Sequence, residues 1–140
     1  MEGVRKTKIS TTISVVSIFL FCFVLGIVRW INIFNENVFV ITKEINSHIT
    51  NFTISLMVCI MIGYLLLCYR KKCSTIIKIG LILISMNLIY ETILPFINTI
   101  DFMDAIYGII GIIVSLLYLY FIDKKGFKDW LQITIYEYGA

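Results

Sequence analysis

Charge is scarce in this sequence. Only 15% of the 140 residues are Asp, Glu, Lys or Arg, against roughly 25% in a soluble domain, where apolar residues make up about 45–50%. Here 59% are hydrophobic and the mean hydropathy is +0.94. That excess excludes an ordinary water-soluble globule and requires an apolar surrounding. Proline occurs once and histidine once, so helix breaks are few and a histidine-rich metal site is excluded. The four cysteines, Cys22, Cys59, Cys68 and Cys73, form no C-x-x-C pair, and three lie in apolar runs. They read as small buried hydrophobes, with neither a disulfide framework nor a zinc site. His48 has no Cys or second His near it in sequence, so no metal ligand set and no cofactor are expected. H-E-x-x-H, G-x-S-x-G and P-loop motifs are also missing, as is the dense Asp/Gly signature of a membrane phosphotransferase. The chain therefore reads as a non-enzyme.

Four long apolar runs are present. They predict an all-α integral membrane fold, a single domain over residues 1–140 with transmembrane helices at about 13–30, 52–69, 76–97 and 102–122. Runs of about 20 residues match a hydrocarbon layer roughly 30 Å thick, and helices satisfy their own backbone groups in lipid. The first run continues into Arg29-Trp30-Ile31-Asn32 without a small-residue cleavage pattern, which favours an uncleaved helix over a signal peptide.

Basic residues cluster in three places: Arg5, Lys6 and Lys8; Arg70, Lys71, Lys72 and Lys78; Lys124, Lys125 and Lys128. Only Arg29 and Lys43 of the twelve Lys and Arg residues fall elsewhere. By the positive-inside rule this predicts both tails, 1–12 and 123–140, and the 70–78 loop in the cytoplasm of a cell-membrane protein. The +3 net charge is then a matter of topology and gives no reason to expect nucleic acid as a partner. The lipid bilayer is the expected one. Between the first two helices, Val38, Ile41, Ile45, Ile49 and Phe52 recur at helical spacing, which predicts a short interfacial helix there. In the C-terminal tail, Phe127, Trp130, Leu131 and Tyr138 suit one face of a helix, while Leu131 to Ile135 alternate as a strand would.

The sequence concentrates its acidity at the predicted outer end. Glu91 lies about 9 Å inside the third helix at 1.5 Å per residue, and an acidic group at mid-span costs about 2.5–3.5 kcal/mol. It should face the bundle, with Asn87 one turn earlier able to share hydrogen bonds with it. Pro95 removes the N–H that would bond the Glu91 carbonyl and predicts a kink. Asp101 suits the N-cap of the fourth helix, with Asp104 in its first turn. Gly108, Gly111 and Ser115 continue the Asp104 face as a small-residue stripe that invites close helix approach, with the third helix as the natural partner. The cluster reads either as architecture or as a pocket for a cation or polar headgroup.

Over residues 87–115 this pattern resembles the VanZ-like family of small bacterial membrane proteins, named for a teicoplanin-resistance protein. Glu91, Asp101 and Asp104 match its acidic skeleton, and Gly111 matches the first of its spaced glycines. Leu94, Asn98, Gly108 and Ser115 stand where the family more often has Gln, Arg, Asn and Gly. The resemblance implies a membrane protein at the outer face, concerned with envelope lipids or glycopeptide susceptibility and without an agreed reaction. Two other readings stand beside it: a small proton- or cation-coupled transporter, and a purely structural membrane subunit. Small multidrug exporters carry their essential Glu in the first helix, and the first helix here has no acidic residue.

Overall fold

The computed structural model describes residues 4–34, 43–93 and 101–127. Four helices account for nearly all of them: α1 (Ile9–Phe34), α2 (Lys43–Cys68), α3 (Cys73–Ile93) and α4 (Phe102–Lys125). Each is long and apolar enough to cross a membrane, and no strand occurs among the described residues.

Helices α2 and α4 form the central pair. Over their most apolar stretches they are 33% and 39% buried, against 11% for α1 and α3. α3 lies mainly along α4, and α1 along α2. In the interior Cys59 of α2 clusters with Ile112 and Leu119 of α4 and Ile76 of α3, while Leu56 and Ile60 of α2 cluster with Cys22 of α1. The free Cys22 and Cys59 are buried among apolar side chains, as small hydrophobes are. Outside this core runs a belt of exposed large apolar groups, including Leu20 and Phe23 of α1, Leu81 and Met86 of α3, and Leu117 and Phe121 of α4. Monomeric soluble proteins rarely expose contiguous apolar surface on this scale. Lipid accounts for it.

One end of the bundle is tied by basic residues. The N–H of Arg5 bonds Cys68 O and that of Lys8 bonds Gly126 O, both at 2.9 Å. The Arg5 guanidinium pairs with Asp123 at 2.8 Å and lies 3.9 Å above the buried Phe127 ring. α2 ends in a Schellman motif, with Arg70 in the left-handed region at φ 59°. Its N–H bonds Leu67 O, and the next N–H, from Lys71, reaches back to Leu66 O. That close turn delivers the chain directly into α3.

Several expected boundaries change. α1 extends from Ile9 to Phe34, past Arg29 and Trp30, and α4 runs to Lys125. Residues 123–127 are thus helix end and cap, packed on the start of α1 rather than free tail. The interfacial helix expected before the second span is not separate over residues 43–52, because α2 is already one continuous helix from Lys43. The reason is chemical: His48 and Asn51 are bonded to α4 and α3, which holds this segment against the bundle. Residues 38–42, Pro95 with its expected kink, Leu94, Asn98 and the tail from Lys128 lie outside the described residues.

Candidate functional site

Polar side chains from three helices meet at the end of the bundle opposite the basic tie. α4 begins there as the sequence predicts. Asp101 has extended backbone angles (φ −132°, ψ 100°) and its carboxylate accepts the Met103 N–H, which satisfies one of the donors a helix start leaves open. Asp104 occupies the first turn, where a negative charge suits the helix dipole.

Glu91 is 2% exposed. Asn51 of α2 donates its side-chain amide to Glu91 Oε1 at 3.2 Å. Asn51 lies about 9 Å along the helix from Ile45, where the apolar span of α2 begins. The Glu91–Asn51 pair therefore lies within the apolar span rather than at its end, and a buried carboxylate is costly unless hydrogen-bonded.

Asn87 does not serve Glu91 in the way expected. Its Nδ2 donates to the Ala105 carbonyl on α4 at 2.9 Å. Gly108 makes the room, since a Cβ there would lie 2.6 Å from the Asn87 amide. Asn87 is thus a clamp between α3 and α4, while Glu91 is met from α2.

The small-residue stripe also turns out differently. Only Gly108 faces α3. A Cβ on Gly111 would run into the Phe52 carbonyl oxygen of α2 and lie 3.2 Å from Leu56 N. Ser115, fully buried, places Oγ 3.0 Å from Leu56 O and 2.8 Å from Gly111 O. The close approach is therefore chiefly α4 on α2. The stripe winds around α4 as it descends, so residues at spacings of three and four successively meet two neighbours.

His48 completes the site. Its Nδ1 lies 2.7 Å from Asp104 Oδ1 and 3.8 Å from Asp101 Oδ2. The imidazole ring is tilted 35° against Tyr107, centroid to centroid 5.3 Å, which restricts its orientation. His48, Asp101 and Asp104 each offer one ligand atom, all within 4.8 Å of one another. His48 and Asn51 are one turn apart on α2, so a single helix face addresses Asp104 on α4 and Glu91 on α3.

Sequence reasoning found Glu91, Asp101 and Asp104 and missed their partners on α2. The signal was present: a His and an Asn three residues apart at the start of a membrane helix need protein partners. The apolar period of Ile45, Ile49 and Phe52 on the same segment drew it instead toward a surface helix.

A bundle of four apolar helices with a polar mouth at one end belongs to the class of multi-pass helical membrane proteins. Comparison with protein-family models, with curated proteins and with solved structures gave no match.

Proposed function

We propose that this chain is a non-enzymatic, VanZ-like protein of the bacterial cell membrane, whose acidic cluster around Glu91 at the outer face binds a basic or polar headgroup of an envelope lipid. The observation that carries this reading is a carboxylate at 2% exposure, met by a side-chain amide from a neighbouring helix. Intramembrane carboxylates are functional-site candidates by default. The outer placement rests on charge. Arg5, Lys8, Lys124 and Lys125 belong to the end of the bundle opposite Glu91 and Asp104, and basic ends face the cytoplasm. Both termini are then cytoplasmic.

The second reading, a small proton- or cation-coupled transporter, draws on the same buried carboxylate. Transporter sites typically lie near the bilayer midplane, whereas Glu91 is level with the early turns of α2, so the lipid reading is preferred.

The test is Glu91→Gln in a bacterial host whose glycopeptide susceptibility responds to the wild-type chain. The amide keeps the shape and the hydrogen-bonding capacity and loses the charge. A stable Glu91→Gln protein without the phenotype supports a working anion. Full activity returns Glu91 to architecture, the role it would have in a purely structural subunit. Cation-driven uptake by wild-type proteoliposomes, abolished in the same variant, would favour the transporter.

A further inference from the structure

We infer that His48, Asp101 and Asp104 form a binding site for a first-row divalent metal ion, zinc by preference, at the mouth of the bundle. A plain hydrogen bond explains His48 Nδ1 against Asp104 Oδ1 at 2.7 Å. That bond makes no use of the second carboxylate, whose Oδ1 caps α4. One ring nitrogen presents at most one proton, yet Asp101 Oδ2 also turns toward it at 3.8 Å, and all three ligand atoms fall within 4.8 Å. Two carboxylates held this close repel each other when both are ionised.

A divalent ion resolves that conflict in charge and in geometry. Two carboxylates and a neutral imidazole sum to the charge that balances one such ion. Zinc bonds to N and O donors of about 2.0 Å in a tetrahedral arrangement place ligand atoms about 3.3 Å apart. The distances of 2.7 and 3.8 Å bracket that value, so modest side-chain rotations bring both carboxylates to ligating range.

The surrounding groups suit the same role. Asp101 uses Oδ1 to cap α4 through the Met103 N–H at 2.9 Å, which fixes the carboxylate and leaves Oδ2 for the ion. Ligating carboxylates are commonly held by hydrogen bonds of this kind. Tyr107 against the ring holds the imidazole plane. The Asp101 side chain is 40% exposed and the His48 side chain 14%, which gives the ion an entry from the aqueous side and a partly enclosed seat. One imidazole with two carboxylates selects zinc, cobalt or manganese over calcium and magnesium, which take oxygen donors, and zinc over manganese by intrinsic affinity. Metal binding here does not depend on Glu91 acting as an anion.

The experiment is titration of the purified, chelator-treated full chain in nanodiscs with Zn²⁺ by calorimetry, repeated with Mg²⁺, and with Co²⁺ followed by its visible absorption. Wild type should bind one Zn²⁺ per chain, and Co²⁺ should show the bands of low coordination number. His48→Ala and Asp101→Asn should each weaken Zn²⁺ binding by at least about 10- to 100-fold, the range seen when even outer groups of a metal site are removed. Asp101→Asn guards against misfolding, because Asn caps a helix as well as Asp does; its metal-free melting temperature should match wild type. Glu91→Gln should bind Zn²⁺ normally, so loss of the lipid reading would leave this site standing. Absence of saturable one-to-one binding by folded wild type overturns the proposal. So does wild-type affinity in either ligand variant, or equal affinity for Mg²⁺ and Zn²⁺.

Discussion

Asn51 of α2 donates to the Glu91 carboxylate of α3 across 3.2 Å, and this bond joins two helices that otherwise touch little, each packing mainly against α4. It provides a polar partner for the one carboxylate buried among the described residues.

Removing that partner should cost stability. Asn51→Leu leaves Glu91 buried with one donor fewer, which costs about 1–3 kcal/mol. Asn51→Asp should be worse, since it sets a second carboxylate against the first. Thermal unfolding in detergent measures both. A melting temperature for Asn51→Leu equal to wild type would show that the bond contributes nothing.

The α2–α4 contact admits no side chain at Gly111, where the obstacle is the Phe52 backbone. Gly111→Ala should destabilise by about 1–3 kcal/mol, the usual range for overpacking, and Gly111→Leu should exceed it. Ile113→Leu, at an exposed position two residues away, should be nearly neutral. Ser115→Ala should cost less than Gly111→Ala, about 0.6 kcal/mol, the mean for hydrogen bonds between membrane helices. Melting temperatures of the four variants in one detergent would rank them, and equal values for Gly111→Leu and Ile113→Leu would remove the close approach.

At the opposite end, Arg5 bonds Asp123 and covers Phe127. A double-mutant cycle of Arg5→Ala with Asp123→Asn should give a coupling of about 0.2–1 kcal/mol, the range for solvent-accessible pairs. A cycle with Phe127→Leu should give about as much again from the cation–π contact. Raised salt should weaken the first coupling more than the second. Zero coupling in both cycles would mean that the Arg5 side chain takes no part in joining the ends of α1 and α4, which Lys8 and Thr11 also bridge through their side chains.

Orientation can be read by cysteine labelling in a variant with all four native cysteines replaced. Ser47→Cys and Ser74→Cys sit at exposed positions near opposite ends of the bundle. An impermeant maleimide added to intact cells should label position 47 and spare position 74. The reverse pattern would put the polar mouth in the cytoplasm and overturn the outer-face reading.

The sequence by itself determined what depends on local composition. Long apolar runs became the four helices, because a helix satisfies all its backbone groups within the one segment. Basic clusters marked one end, and Asp101 declared the start of α4, because a cap acts on donors only two or three residues away. Glu91 was legible as buried, since a carboxylate inside an apolar run has to leave the lipid face. Only the tertiary structure decided which neighbour each of these groups meets. Gly111 and Ser115 settled on α2, Asn87 went to Ala105, and His48 and Asn51 of a presumed surface segment became the partners of Asp104 and Glu91. The physical reason is that a helix apolar on every side carries little signal of how it is rotated or who stands beside it. Close packing of small residues and a few interhelical hydrogen bonds set those choices, and both are properties of pairs of helices that neither helix displays alone.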